Sequence, residues 1–269
     1  MNISRNNLIL KTSLNEDGIY RLTLNNPVNH NVLSEKMMSN MQDALEESIN
    51  NRKIRVVIIS AEGPTFSAGH DLKELTKGRQ NSDKGKSYFK TIMKNCSKLM
   101  QTIVNNPKPI IAEINGVATA AGCQLVASCD LAYASSLSKF ATPGVNIGLF
   151  CSTPMVAVSR NISNKHSMEM LLAGDLISAD EAETIGLINK SIAAPLLKAK
   201  TLEIAKKISK KSALTLKIGK EAFYKQINMN LSDAYDYASN VMVENMLKLD
   251  AEEGIDAFIN KRKPNWQDK

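Results

Sequence analysis

Aromatic side chains are scarce in this sequence: six Phe, six Tyr and one Trp make up 5% of its 269 residues. The core must therefore be filled by aliphatic residues and by the twelve methionines. Aromatics do not interleave the basic residues, and no nucleic-acid-binding signature is present, so a nucleic-acid partner is not expected. Histidine is equally sparse, with three in the chain, and the four cysteines (Cys96, Cys123, Cys129, Cys151) form no CxxC pair. That excludes a structural zinc site of the usual kinds and leaves buried free thiols in a reducing compartment as the expectation. No apolar run reaches the roughly 18 residues that a membrane-spanning helix needs. The first ten residues, MNISRNNLIL, hold one Arg and no long apolar stretch, so they read neither as a secretory signal nor as a good transit peptide.

What is present describes an ordinary globular chain. Hydrophobic residues make up 43% and charged residues 23%, enough for one large domain or one core with an appendage. The net charge of +7 has two readings. One is a lysine-rich solvated surface, and the other is attraction to the phosphates of a nucleotide-like ligand.

Periodicity gives a strand–helix alternation. GIYRLTL (18–24) alternates as a strand, and Ser34 is placed to cap an amphipathic helix over 35–49 whose Met residues fill core. RVVIIS (55–60) is continuously apolar, as a strand buried on both faces would be. An irregular stretch (61–75) and a charged linker (76–86) precede a helix over 87–105, which Asn106-Pro107-Lys108-Pro109 ends. Strands follow at 110–114, 130–134, 139–142 and 188–192, with a helix of small residues at 118–128. After Pro195 every segment reads as helix: 196–210, 213–226, 231–248 and 252–260. The pattern predicts an α/β core over residues 1–195 and a helical region over 196–269.

Two segments bear on chemistry. Phe66-Ser67-Ala68-Gly69-His70-Asp71-Leu72 follows one buried strand, and the stretch from Asn115 to Leu125, which includes Ala121-Gly122, follows another and opens a helix. Each is a place where backbone N–H groups are left free, by a turn that only glycine enters easily or by the first turn of a helix with its positive dipole end. Small residues let a ligand approach that backbone. Either segment alone reads more simply as a tight turn packed for its own sake, but their coincidence in this order and separation points to a ligand site.

Together they resemble the crotonase (enoyl-CoA hydratase/isomerase) superfamily. FSAGHDLKEL is similar to the family's first oxyanion and adenine-pocket motif, and NGVATAAGCQLVASCDLAYAS to its second. The likeness continues through KFATPGVNIGLF, AGDLISADEAETIGLINK and FINKRKPNW, and so covers nearly the whole chain. The resemblance implies a crotonase-like β/α spiral core with a C-terminal helical trimerisation region. It implies an acyl-CoA or enoyl-CoA ligand, a homotrimer or dimer of trimers, and no metal or prosthetic group. Its location would be the bacterial cytoplasm or, in a eukaryote, the mitochondrial matrix. By position, the backbone N–H groups of His70 and Ala121 would form an oxyanion hole for the thioester carbonyl. Ala68, Asp71 and Leu72 would line the adenine pocket, and Phe258 and Lys261 would reach CoA across a subunit boundary. A solvated tail is the other reading of Lys261-Arg262-Lys263.

The sequence departs from the hydratase pattern at both catalytic carboxylates. By position the two glutamates fall on Gln124 and Gly144. Gln124 can hold a water but cannot take its proton, and Gly144 has no side chain. One positioned acid–base group is worth about 10²- to 10⁴-fold, so ordinary hydration is expected to be slow. Substitute groups to be considered are Cys151, Ser152, His70 and Glu113. Ser152 or Thr153 reads also as an N-cap ahead of Pro154. The resemblance implies CoA contacts near the turn that holds His30, whereas His166, Asp175 and Asp180 read as parts of surface helices and caps. The alternatives are an enzyme of acyl-CoA metabolism with non-standard activity, or a non-catalytic acyl-CoA-binding protein.

Overall fold

The computed structural model describes residues 4–7 and 9–269, with side chains from residue 9 onward. The N-terminal stretch read for targeting signals lies partly outside these. Eleven strands lie among the described residues: β1 (Ser4–Asn7), β2 (Leu10–Leu14), β3 (Ile19–Leu24), β4 (Val56–Ala61), β5 (Thr65–Ser67), β6 (Ile110–Ile114), β7 (Val117–Thr119), β8 (Leu131–Ser135), β9 (Lys139–Ala141), β10 (Ile177–Ser178) and β11 (Lys190–Ile192). They form two sheets, ordered β1-β2-β3-β4-β6-β8-β11 and β10-β9-β7-β5. From β3 onward the large sheet is parallel, as is the β5-β7-β9 run of the small one. The chain alternates between sheets, β4 to β5, β6 to β7 and β8 to β9, with helices between these pairs. This is the expected β/α spiral.

The intervening helices are α1 (Glu35–Asn50), α2 (Leu72–Gly78), α3 (Lys86–Val104) and α4 (Ala121–Ser128). Ser34 caps α1 as expected, its hydroxyl accepting the Met37 N–H at 3.2 Å. Met37, Met41 and Leu45 of α1 and Leu99 and Ile103 of α3 cover one face of the large sheet, and all are fully buried with Val57, Ile59 and Ile110. On the other face Ile19, Val56, Ile58 and Ile111 pack with Ala205. That second layer explains why 56–59 is apolar without alternation.

Helices α5 (Pro154–Val158), α6 (Asn164–Ala173) and α7 (Ala179–Thr184) lead to α8 (Leu197–Ser209), which carries Ala205. The chain ends in α9 (Ala213–Gln226), α10 (Leu231–Met246) and α11 (Leu249–Ile259). Neither α9 nor α10 buries a residue, and Phe223, Leu231, Tyr235, Met242 and Leu247 are all exposed. Apolar surface on this scale is characteristic of interaction sites.

What ties α9 to the core is polar. Lys220 Nζ reaches Asp130 Oδ2 at 2.7 Å and the carbonyls of Ile103 and Lys108 at 3.1 Å each. Tyr224 Oη donates to Asp130 Oδ1, and Asp130 Oδ2 also accepts the Ile110 N–H. Burial pushes the Asp130 carboxyl up and the Lys220 ammonium down, each opposed by the other's charge.

Three local expectations are corrected. The stretch 61–75 is not irregular throughout: it contains β5 and the start of α2. The small-residue helix starts at Ala121, because Val117–Thr119 is strand β7. Thr153 stands at the cap position of α5 but makes no capping bond, while Ser152 Oγ donates to the Phe150 carbonyl.

Candidate active site

The parallel pairing of β5 with β7 brings the two motif segments side by side, since each continues past the end of its strand. The first is clamped from below by the turn at 26–33. The Ala68 N–H donates to the His30 carbonyl at 3.0 Å, and the Leu33 N–H to the Gly69 carbonyl at 2.7 Å. Gly69 itself has φ +88°, where L-residues are disfavoured.

The second segment turns sharply at Ala120, which has φ +51° although it is not glycine. Its N–H is held by the Ala141 carbonyl of β9 and its carbonyl by the Gln124 N–H, each at 3.0 Å. Helix α4 therefore opens with Ala121 and has no side-chain cap. Gly122 is needed for close approach: a Cβ there would stand 2.1 Å from the Ser67 carbonyl oxygen.

The two loops touch. A Cβ on Gly69 would lie 3.0 Å from the backbone nitrogen of Ala121. Neither the His70 N–H nor the Ala121 N–H makes a hydrogen bond among the described residues. Two donors, one of them at a helix N-terminus, thus stand unpaired on adjoining loops.

The His70 imidazole does not join them. Both ring nitrogens are sealed from solvent without a hydrogen-bond partner among the described residues. Burial lowers its pKa, opposed in part by the nearby Leu33 carbonyl, so the ring is neutral near pH 7. Asp71 caps α2, accepting the N–H groups of Lys73 (2.8 Å) and Glu74 (3.4 Å). Leu72 beside it is exposed, and Ala68 is partly buried.

Gln124 lies on α4, 4% exposed, with Oε1 4.0 Å from the Cys96 sulfur. Gly144 is in the 3-10 turn Pro143–Ile147. A Cβ at Gly144 would meet the Leu149 carbonyl oxygen at 2.8 Å and Cys151 Sγ at 2.9 Å, so the space a longer side chain needs is filled. The Gly144 N–H donates to Cys151 Sγ at 3.3 Å. Burial pushes the Cys151 thiol up, opposed by that N–H, which is the wrong direction for a nucleophile.

Glu113 is excluded as a base by its position. It binds Arg21 through both carboxylate oxygens, at 2.5 and 3.1 Å. The pair shares the sheet face of Ile111 and Ile19, opposite to α1, α3 and α4. Phe258 and Lys261 stand at the exposed end of α11, which packs within the chain on α9 and α10. His30 contacts Thr65 Oγ1 at 3.3 Å. His166 lies on α6 and Asp180 on α7, and Asp175 precedes β10. Among the described residues no group of three or more His, Cys, Asp or Glu is placed to hold a metal.

The family model for enoyl-CoA hydratase/isomerase matches residues 15–269. The chain belongs to that family. It is similar to the mouse mitochondrial enoyl-CoA hydratase domain-containing protein 3, 49% identical over 257 residues that span 96% of this chain and 84% of the mouse one. A probable enoyl-CoA hydratase of Bacillus subtilis is 32% identical, covering 91% of this chain and 94% of its own. Among solved structures, human enoyl-CoA hydratase domain-containing protein 3 superposes with a TM-score of 0.89 at 46% identity, over 98% of this chain and 99% of that one. An enoyl-CoA hydratase of Mycobacterium smegmatis gives 0.91 at 41%, over 96% and 98%. Within this enoyl-CoA hydratase/isomerase fold, sequence reasoning missed Asn31. It is fully buried, its amide donates to the Glu62 and Thr65 carbonyls at 2.9 and 2.7 Å, and its Oδ1 accepts the Asn26 N–H. It locks the 26–33 turn under the first loop. The Asn- and Pro-rich stretch NNPVNHN, whose residue types favour turns and tolerate positive φ, was the available signal, and His30 and Asn31 do take positive φ.

Proposed function

We propose that this protein binds an acyl-CoA or enoyl-CoA thioester and receives its carbonyl oxygen on the backbone N–H groups of His70 and Ala121. The observation that carries this reading is the pair of unbonded N–H groups on loops in contact, with Gly69 3.0 Å from Ala121 N when extended by one carbon. Ala68, Asp71 and Leu72 are assigned to the adenine end. Phe258 and Lys261 are assigned to the CoA of a neighbouring subunit. The exposed apolar face of α9–α11 supports a trimer or dimer of trimers built through residues 196–269, with residues 1–195 as the binding core. The relatives named as mitochondrial support a matrix location if the source is a eukaryote; in a bacterium the location would be the cytoplasm. The setting would be fatty-acid or related acyl-CoA metabolism, with the CoA thioester as ligand and no separate cofactor.

Ordinary hydration is not the reaction this site serves. Gln124 accepts no proton, and the place beside Gly144 is filled by Leu149 and Cys151. The reading favoured is thioester binding with hydratase acid–base chemistry removed. Calorimetric titration with saturated acyl-CoA, together with product analysis after incubation with enoyl-CoAs, tests it. Binding without hydration is expected. Hydration at rates typical of the family's hydratases, or no binding of any thioester, overturns it.

A further inference from the structure

Gln124 follows Ala121 by three residues on α4, about 4.5 Å along the axis at 1.5 Å per residue. Helical side chains lean toward the N-terminus, so its amide lies over the turn that carries the free Ala121 N–H. The orientation of that amide is set from behind. Cys96 on α3 is fully buried, and burial pushes its thiol up to about 12, so it stays an S–H donor and takes Oε1 as its acceptor at 4.0 Å. Nε2, with two N–H groups, then points the other way. It has no hydrogen-bond partner among the described residues and, unlike the His70 ring nitrogens, is not sealed from solvent. On the Gly144 side the Cys151 sulfur is engaged by the Gly144 N–H.

A thioester whose carbonyl oxygen sits on the Ala121 N–H would therefore extend its β carbon past a donor. We infer that the site selects CoA thioesters bearing an acceptor oxygen on the β carbon, the 3-oxoacyl class, with Gln124 Nε2 donating to that oxygen. This rests on the thioester reading above. A saturated chain covers the Gln124 N–H without pairing it, which carries a desolvation cost. A 3-hydroxyl also accepts from Nε2 but brings a proton that needs an acceptor of its own.

The test is calorimetric titration of the full-length protein, and of its Gln124→Met and Gln124→Glu variants. The ligands are saturated, 3-hydroxyacyl and 3-oxoacyl CoA of one chain length. One neutral hydrogen bond predicts that wild type binds the 3-oxoacyl form about two- to tenfold more tightly than the saturated one. That ratio should fall to about one in Gln124→Met and below one in Gln124→Glu, whose carboxylate repels the ketone oxygen. Equal binding of all three thioesters by wild type, or a ratio kept in Gln124→Met, overturns the assignment of Gln124 alone. Should a variant fail to fold, the wild-type ratio decides. Failure of all three to bind wild type overturns the thioester reading and this inference with it.

Discussion

Replacing Gly69 with Ala probes the contact on which the site depends. The added methyl meets two separate costs. At φ +88° an L-residue is disfavoured by about 1–2 kcal/mol. The methyl would also stand 3.0 Å from Ala120 Cβ, 3.0 Å from Ala121 N and 3.2 Å from the Thr119 carbonyl oxygen. Two of those three atoms are backbone and cannot rotate away, so overpacking adds about 1–3 kcal/mol. The sum, about 2–5 kcal/mol, is a large share of a typical stability of about 5–15 kcal/mol. Gly148→Ala isolates the first cost, because Gly148 has φ +74° and nothing within 4 Å of a Cβ. The two variants are compared by urea unfolding followed by circular dichroism, with the midpoint shift converted at constant slope. Gly148→Ala should lose about 1–2 kcal/mol and Gly69→Ala at least 1 kcal/mol more. Acyl-CoA affinity of folded Gly69→Ala should drop about fivefold or more, since the methyl abuts the Ala121 donor. Equal losses in the two variants would show that the loops do not press on each other there.

Other consequences follow from the same geometry. The double variant Gln124→Glu/Gly144→Glu should not gain hydratase activity, because Leu149 and Cys151 fill the space at 144; a hundredfold gain in enoyl-CoA hydration would refute this. His70 titrates below 6.5 in the folded chain and near 6.5 unfolded, so its contribution to stability is full above pH 6.5 and is lost as pH falls toward the lower, folded value. Between pH 7.5 and 5.5 the unfolding midpoint of wild type should therefore fall more than that of His70→Gln; parallel profiles would contradict the buried, unpaired ring. Lys220→Met leaves Asp130 buried without its cation and should cost about 3–5 kcal/mol, measured by chemical unfolding, with Lys220→Met/Asp130→Asn recovering part of the loss.

Local rules read much of this chain correctly. Ser34 begins α1 because its hydroxyl replaces a missing helical acceptor, a contact that needs only its immediate neighbours. Helix α9 and strand β6 fall on the residues that periodicity and proline placement predict. Both motif loops were visible as glycine and small residues after apolar runs. The departures at Gln124 and Gly144 were visible as well, because residue type alone decides whether a side chain can accept a proton.

What sequence could not decide was direction and pairing. Strands β5 and β7 have three residues each, too few for a period, and exist because each finds a partner some fifty residues away in the chain. Their pairing moved the start of α4 to Ala121 and so decided that this N–H, rather than an earlier one, is left unbonded. The role of Glu113 depended on which sheet face it occupied, and only the register of β6 against its neighbours turned it toward Arg21. Composition and spacing determined which groups the chain owns. The folded structure determined which of them meet, because contacts between residues distant in sequence are set by strand register and helix packing that no local window contains.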